Sequence, residues 1–149
     1  MADVFDKIKR SWIMSRVGGR DTAPEKAVRT LLHALGFRFR LQAKELPGRP
    51  DIVLPRYRTV IFVHGCFWHA HRDCKRASVP ATRRRFWRAK LSANVQRDRR
   101  NARDLRKLGW RVITIWSCRT RDGRKLLRSL NPLLNAKKAR HAEGRTSHR

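Results

Sequence analysis

The three cysteines of the chain and one histidine have a spacing that suits a metal ion. Cys66, His71 and Cys74 fall within one short segment, and Cys118 directly follows a later apolar run. Four thiolate and imidazole ligands are typical of tetrahedral Zn²⁺, and a shell closed by protein ligands is structural rather than catalytic. An odd number of cysteines does not suit a secreted disulfide framework. The alternative to a metal site is therefore three unrelated free thiols. We expect a structural zinc site that folds the surrounding loop.

The charge of the chain predicts a polyanion as its partner. Thirty-eight Lys and Arg stand against eleven Asp and Glu in 149 residues, which gives a formal net charge of +27. An excess of this size repels itself in a compact domain unless an anionic polymer shares the surface. A solvated basic face and a membrane surface are the alternatives, but the sequence has no apolar run of membrane-spanning length and no signal-peptide pattern. We expect a cytoplasmic protein that binds nucleic acid and no membrane.

Periodicity and turn signals predict an α/β fold in which a mixed β-sheet is flanked by helices. Thr22 and Glu25 have the spacing of a capping box, so a helix is expected to begin there and to end at Gly36. Strands are expected at residues 37–41, 51–54, 59–63 and 110–116, and further helices at 81–108 and 123–134. The long basic helix is expected to bury the side formed by Phe86, Leu91, Val95, Ala102 and Leu105.

Three regions are expected along the chain. Residues 1–20 form a weakly amphipathic basic segment, and residues 21–134 form the folded domain, which is large enough for a real core. Residues 135–149 have no apolar period, and their composition predicts a disordered basic tail.

Two polar residues stand at the ends of neighbouring predicted strands. Asp51 begins one strand and His64 follows the next. If these strands form a hairpin, both side chains lie at the same end of the sheet. A carboxylate there is a ligand for a hard cation such as Mg²⁺, and a nearby imidazole can take a proton from water. Taken singly, Asp51 is an ordinary turn residue and His64 an ordinary core histidine, but their combination favours a catalytic site.

Three further residues are candidates for the same site. His69 lies within the segment of the expected zinc site, and Asp98 lies on the long basic helix. Asp98 either forms salt bridges with neighbouring arginines or accepts a hydrogen bond from a histidine and stabilises its protonated form. Glu25 is either a capping residue alone or a ligand that reaches a metal ion through water.

Five runs of the sequence resemble, in order, the very short patch repair endonucleases. They are RDTAPEKAVR, LPGRPDIVLPRYRTVIFVHGCFWHAH, VPATRRRFW, NVQRDRR and LGWRVITIWSC. The resemblance implies a restriction-endonuclease-like core and an enzyme that nicks one strand of double-stranded DNA on the 5′ side of the T in a T:G mismatch. Such mismatches arise when 5-methylcytosine is deaminated. The resemblance also implies a bacterial, cytoplasmic monomer that associates with the nucleoid when it acts and works beside mismatch-repair factors.

The resemblance assigns roles to individual residues. It implies that Asp51 and the backbone carbonyl of Val63 bind catalytic Mg²⁺, although Val63 stands where family members can carry a hydroxyl residue. The implied catalytic residues are Asp51, His64, His69, Asp98 and Glu25. The implied ligands of structural Zn²⁺ are Cys66, His71, Cys74 and Cys118. The residues implied to intercalate into DNA or to contact its minor groove are Phe67, Trp68, Trp87, Met14 and Val17.

Two other functions fit part of the sequence. The charge alone is sufficient for a non-catalytic, zinc-stabilised nucleic-acid-binding module, but such a binder needs no acidic metal ligand beside phosphate. A nuclease without mismatch preference is the second alternative. Aromatic residues on a rigid loop disfavour it, because bases unstack most readily at a mismatch. On sequence alone, the Trp68 ring is equally consistent with packing against the metal site.

Overall fold

The described part of the chain is built on a four-stranded mixed sheet. The computed structural model describes residues 21–146, with side chains through residue 144. The strands are β1 (Arg40–Leu41), β2 (Ile52–Leu54), β3 (Thr59–His64) and β4 (Arg111–Trp116), and they lie in that order across the sheet. The first three strands pair antiparallel, whereas β3 and β4 pair parallel. Its α-helices are α1 (Ala23–Ala34), α2 (Arg84–Lys107), α3 (Gly123–Ser129) and α4 (Asn131–Thr146). The predicted mixed α/β fold is confirmed.

The start of α1 has the predicted cap. The Thr22 hydroxyl accepts a hydrogen bond from the Glu25 backbone N–H at 3.3 Å, and Pro24 occupies the first turn. The Glu25 carboxylate accepts from the Asp21 N–H at 3.1 Å, so it satisfies a backbone donor one residue before the cap. At the other end Gly36 follows the helix with φ +82°, a left-handed conformation that favours glycine. The helix start is thereby fixed beside the end of the sheet.

The two central strands are buried on both faces, as their unbroken apolar runs predict. Alternate residues of β2 and β3 point to opposite sides of the sheet. One side packs against α1, α3 and α4 in a core that includes Ile52, Leu54, Ile61, Val28, Leu32 and Leu130. The other side packs against α2 in a smaller core that includes Val53, Val60, Phe62 and Leu105. The sheet is thus a rigid platform between two helical layers.

Two predictions about apolar residues were wrong. The strand expected at residues 37–41 is reduced to the two residues of β1, because Phe37 turns into the core and packs edge-on against Tyr57 at 5.4 Å. Phe86 was expected to face inward from α2 but is 43% exposed. It lies in the first turn of the helix, where its ring meets Trp87 at 5.3 Å and the Arg83 guanidinium at 4.4 Å.

The region up to Thr146 is more ordered than its composition predicted. In place of one helix over residues 123–134 and a disordered tail, α3 ends at Ser129 and α4 continues from Asn131 to Thr146. Pro132 explains the break, since proline lacks a backbone donor and is favoured in the first turn of a new helix. The prediction of disorder from Asn135 is therefore wrong through residue 144.

Specific polar contacts hold α4 against the domain. Lys137 donates to the carbonyl of Leu35 at 2.5 Å, beyond the C-terminal end of α1, where a cation is favoured by the helix dipole. Its ammonium group also lies 4.7 Å from the centre of the Phe37 ring. Farther along, Arg140 donates to the carbonyl of Arg56 at 2.9 Å. Such contacts leave no apolar period in the sequence.

In the described residues, no helix is long and apolar enough to cross a membrane.

Candidate active site

The β2–β3 hairpin brings Asp51 to the end of β3. The two strands pair antiparallel with Ile52 opposite Ile61, so the residue before β2 lies beside the last residues of β3. The Val63 backbone N–H donates to the Asp51 carboxylate at 2.7 Å. The prediction that Asp51 and His64 occupy the same end of the sheet is confirmed.

A cleft of about 1170 Å³ opens at this end of the sheet. Its walls are the start of α1, the middle of α2 and the loop after β3. The carboxylates that line it are those of Glu25, Asp51 and Asp98. The basic side chains that line it are those of Arg49, Arg72, Lys90, Arg99 and Arg106. Cations outnumber carboxylates along the wall, which favours a phosphate polymer as the occupant.

His64 and His69, the histidine pair, stack face to face in the cleft. Their ring centres are 3.7 Å apart and their planes differ by 4°. His69 Nδ1 lies 2.6 Å from a carboxylate oxygen of Asp98. A carboxylate partner requires the proton on Nδ1, so in the neutral ring Nε2 carries the lone pair. Of the two alternatives for Asp98, the contact with a histidine is confirmed, and the partner is His69. This contact selects the tautomer that a general base needs.

His64 is held in its neutral form. Burial is the main cause that lowers the pKa of His64 to about 4, and the neighbouring His69 lowers it further. The Asp98 carboxylate acts in the opposite direction but is outweighed. At neutral pH the His64 ring therefore offers a hydrogen-bond donor and an acceptor without a charge.

Asp51 is a carboxylate in an environment that disfavours its charge. Burial raises the pKa of Asp51 to about 6, and the Glu25 carboxylate adds to the rise. The Val63 N–H, His69 and Arg29 oppose it. Burial also raises the pKa of Glu25, which is 6% exposed. Both carboxylates line the same wall of the cleft, and burial disfavours the negative charge of each. A divalent cation bound there would offset these charges.

The residues predicted to bind zinc form one cluster beyond the histidine pair. The ligand atoms of Cys66, His71, Cys74 and Cys118, here called the Cys/His cluster, all lie within 4.8 Å of one another. Cys118 Sγ is 3.5 Å from His71 Nδ1. Bond lengths of 2.0 to 2.3 Å in a tetrahedron put neighbouring ligands about 3.5 Å apart, so the donor set and its spacing fit Zn²⁺. The His71 N–H also donates to the Cys66 carbonyl at 2.8 Å, which closes the loop.

The aromatic residues predicted to insert into DNA form a packed group. Phe67 contacts Trp68 at 5.0 Å and Trp87 at 5.4 Å between ring centres. Phe67 and Trp68 are half-buried, whereas Trp87 is 7% exposed. Trp68 is held further by its carbonyl, which accepts from the Asn94 side chain at 3.0 Å. The exposed ring of the group is that of Phe86, and Met14 and Val17 lie outside the described residues.

Trp116 belongs to the same region, although the sequence argument did not single it out. It is paired in register with His64 across the parallel strands β3 and β4. Its ring stacks on His71 and meets His64 edge-on. Its position two residues before Cys118, at the end of an apolar strand, is the signal that was available in the sequence.

Comparison with known proteins places the chain in a family. The sequence pattern of the family described as DNA mismatch endonuclease Vsr matches residues 2–76. The chain is 52% identical to the DNA mismatch endonuclease Vsr of Escherichia coli (strain K12), over 85% of this chain and 80% of that protein. It is 48% identical to the type II nicking enzyme V.XorIIP of Xanthomonas oryzae pv. oryzae, over 82% of this chain and 89% of the relative. Identity to the type II nicking enzyme V.NmeAIP of Neisseria meningitidis is 40%, over 90% and 95%.

The cleft and these relatives define the class of the protein as a DNA-nicking endonuclease, a hydrolase. More particularly, the chain belongs to the DNA mismatch endonuclease Vsr family. The resemblance inferred from the five sequence runs is thereby confirmed.

Proposed function

We propose that this protein nicks one strand of double-stranded DNA at T:G mismatches, on the 5′ side of the T. The mismatches are those left by deamination of 5-methylcytosine, and the nick initiates very short patch repair. The observation that carries the proposal is Asp51 and the His69–Asp98 hydrogen bond in one cleft with a basic wall. The 52% identity to the E. coli DNA mismatch endonuclease supports the mismatch as substrate.

Asp51 is the proposed anchor for Mg²⁺, together with the backbone carbonyl of Val63. The two residues already contact each other through the Val63 N–H. Glu25, at the same wall, is proposed to hold a metal-bound water. A bound Mg²⁺ ion would polarise the scissile phosphate and stabilise the leaving 3′ oxygen. The desolvated carboxylate of Asp51 favours that ion, because a divalent cation removes the cost of its buried charge.

The histidine pair is proposed to handle the proton of the attacking water. Nε2 of His69 accepts the proton, the water oxygen bonds to phosphorus, and the bond from phosphorus to the 3′ oxygen breaks. The leaving 3′ oxygen then takes a proton from solvent. The Asp98 carboxylate fixes the His69 ring and stabilises its positive charge after transfer. His64, neutral at this pH, orients the phosphate or a water molecule by hydrogen bonds. The products are a 3′ hydroxyl and a 5′ phosphate.

The Cys/His cluster is proposed to bind structural Zn²⁺ in a restriction-endonuclease-like domain of residues 21–134, against which the rest of α4 packs. A zinc ion held by these four ligands leaves no position for substrate. The cluster instead anchors the loop that carries His69, Phe67 and Trp68. Residues 1–20 are proposed as a DNA-contacting segment that precedes this domain.

Phe67, Trp68 and Trp87 are proposed to insert between base pairs at the mismatch, with Met14 and Val17 on the minor-groove side. Their edge contacts make the rings a preassembled wedge. Unstacking costs roughly a few kcal/mol and least at a mismatch, which gives the enzyme a preference for mismatched DNA. We further propose a monomer that acts on the nucleoid in the cytoplasm of bacteria and cooperates with mismatch-repair factors.

Asp98→Asn should lower the nicking rate of a protein that still folds and binds DNA. The amide keeps the size of the side chain but cannot stabilise a protonated His69, and it can select the wrong tautomer. We expect the single-turnover nicking rate to fall about 100- to 10,000-fold, as for the analogous change in a Ser-His-Asp triad. The dissociation constant for mismatched DNA, measured by fluorescence anisotropy, should change little. A rate close to that of the wild type would remove Asp98 from the mechanism.

The proposed function is tested by nicking of duplexes that differ only in T:G versus C:G at one position. The assay contains Mg²⁺ and compares the wild type with Asp51→Ala and His69→Ala. Nicking of the T:G duplex that both substitutions abolish is the expected result. Equal nicking of both duplexes would favour a nuclease without mismatch preference. Tight binding without nicking would favour the non-catalytic binding module.

A further inference from the structure

Trp116 connects the Cys/His cluster to the histidine pair through ring contacts. The His71 ring stacks on the indole, with ring centres 4.1 Å apart and planes 12° apart. The His64 ring meets the indole at 71° and 5.5 Å, and His64 in turn stacks on His69 at 3.7 Å. The four rings form a row that begins in the cluster and ends at the hydrogen bond from His69 to Asp98.

The parallel strands fix the two middle rings of this row. Trp116 ends β4 and His64 ends β3, and the two residues are paired in register. Two residues after Trp116 the chain delivers Cys118 to the cluster. The backbone therefore sets the distance between the cluster and the histidine pair, and the indole fills the space between them. A smaller side chain at position 116 would leave that space open.

The Trp116 ring limits the orientations of His64. The imidazole has aromatic neighbours in His69, stacked on it, in Phe62 at 5.4 Å and in Trp116. Without the indole, the ring is open toward the cluster and can rotate or shift. A misplacement of about 1 Å at a reacting group can reduce a rate about 100-fold. His69 depends on the same support, because its stacking partner is His64.

We propose that Trp116 is a positioning residue that transmits the geometry of the Cys/His cluster to His64 and His69. The inference rests on the proposed function, since it gives the histidine pair a part in nicking. It also explains why the ligand at position 71 is a histidine rather than a cysteine. A fourth cysteine would complete a tetrahedral zinc shell equally well, but only an aromatic ligand can stack on Trp116.

The first test compares Trp116→Leu with Trp116→Phe and with Trp110→Leu as a matched control. Trp110 precedes β4 at its opposite end, where the Arg58 guanidinium covers its ring at 4.4 Å. The measurements are zinc content, the dissociation constant for a T:G duplex, the single-turnover nicking rate, and the NMR resonances of the His64 ring. We expect Trp116→Leu to lower the rate about 10- to 100-fold and to shift the His64 resonances. Zinc content and DNA affinity should stay near those of the wild type.

The conservative variant and the control distinguish positioning from general packing. Trp116→Phe should recover the rate to within about 3-fold of the wild type, because a phenyl ring retains the stacking surface. Trp110→Leu should keep the wild-type rate in its folded fraction. Unshifted His64 resonances and an unchanged rate in Trp116→Leu would overturn the proposal. So would equal rate losses in the leucine variants of both tryptophans.

The second test replaces His71 by cysteine. His71→Cys should retain one zinc ion per chain in a Cys₄ site, yet lower the nicking rate and shift the His64 resonances as Trp116→Leu does. A wild-type rate in this zinc-loaded variant would overturn the role of His71. If the wild type itself does not nick, the proposed function fails, and the His64 resonances alone then decide whether the row of rings positions the pair.

Discussion

Asp51→Asn should make the metal-free protein more stable while it abolishes nicking. The amide keeps an oxygen that can accept the Val63 N–H but carries no buried charge. We expect an increase of up to about 3 kcal/mol in the free energy of unfolding above pH 7, from a pKa difference of about two units. The loss of the proposed metal anchor should reduce the nicking rate on the order of 1000-fold or more.

The sign of the stability change follows from the pKa of Asp51. The folded value of about 6 lies above the value of about 3.9 expected for an unfolded chain. Between these values the folded protein binds more protons than the unfolded protein, so wild-type stability falls as pH rises through this window. Above pH 6 the cost of the buried charge is complete. The gain from Asp51→Asn should therefore be large at pH 8 and nearly absent at pH 3.5.

Thermal unfolding at several pH values, with and without Mg²⁺, checks this prediction. About 3 kcal/mol corresponds to roughly 6 to 12 °C in the unfolding midpoint of a domain of this size. Mg²⁺ should raise the midpoint of the wild type, because it binds the folded state, and should have little effect on Asp51→Asn. Equal responses of both proteins to Mg²⁺ would show that Asp51 is not the anchor.

Cys118→Ser should cause the largest loss of stability of any single substitution considered for this protein. Cys118 comes from the turn after β4, whereas the other three residues of the cluster lie in the loop after β3. Its replacement cuts the link between the two segments. Structural zinc contributes on the order of 10 kcal/mol of apparent binding free energy. The loss of one thiolate should remove a large part of that free energy. The loop should open and release His69 from Asp98.

Zinc content and the unfolding midpoint test this effect, with Ser117→Ala as the matched control. Ser117 contacts Cys66 Sγ at 3.2 Å but is not part of the cluster. Ser117→Ala should retain zinc and most of the activity. Cys118→Ser should lose zinc, unfold at least about 10 °C earlier and nick poorly. A stable, fully active Cys118→Ser protein would contradict a structural zinc site.

The sequence was most informative where a residue pattern reflects local geometry. The β-branched run of residues 59–63 predicted a central strand because such a run suits burial on both faces. The cap at Thr22 was recognisable because its partners lie within three residues. The order of α4 was not recognisable, because Lys137 and Arg140 bind backbone carbonyls that are remote in sequence. The prediction that Phe86 faces inward was wrong for a related reason. Apolar periodicity does not reveal where a helix extends beyond the core of the domain.

In the candidate site, too, local patterns were predictable and contacts between residues remote in sequence were not. Placing Asp51 and His64 at one end of the sheet required only that two strands adjacent in sequence form a hairpin, and they do. The 2.6 Å contact between His69 and Asp98 depends on how α2 packs on the sheet, across 29 positions of chain. On sequence alone, a hydrogen bond from a histidine was therefore only one of two alternatives for Asp98. The role of Trp116 was not predicted because no local pattern encodes its partners. The parallel strand pair brings His64 to it, and the loop after β3 brings His71.

The most direct measurement of the central claim is the position of the nick on a T:G duplex in which each strand carries a different end label. With Mg²⁺, the wild type should produce one break, on the 5′ side of the mismatched T, with a 3′ hydroxyl and a 5′ phosphate. The strand that carries the G should remain intact, and Asp51→Asn should leave both strands intact although it binds the duplex. Breaks in both strands, or the same break by Asp51→Asn, would contradict the account.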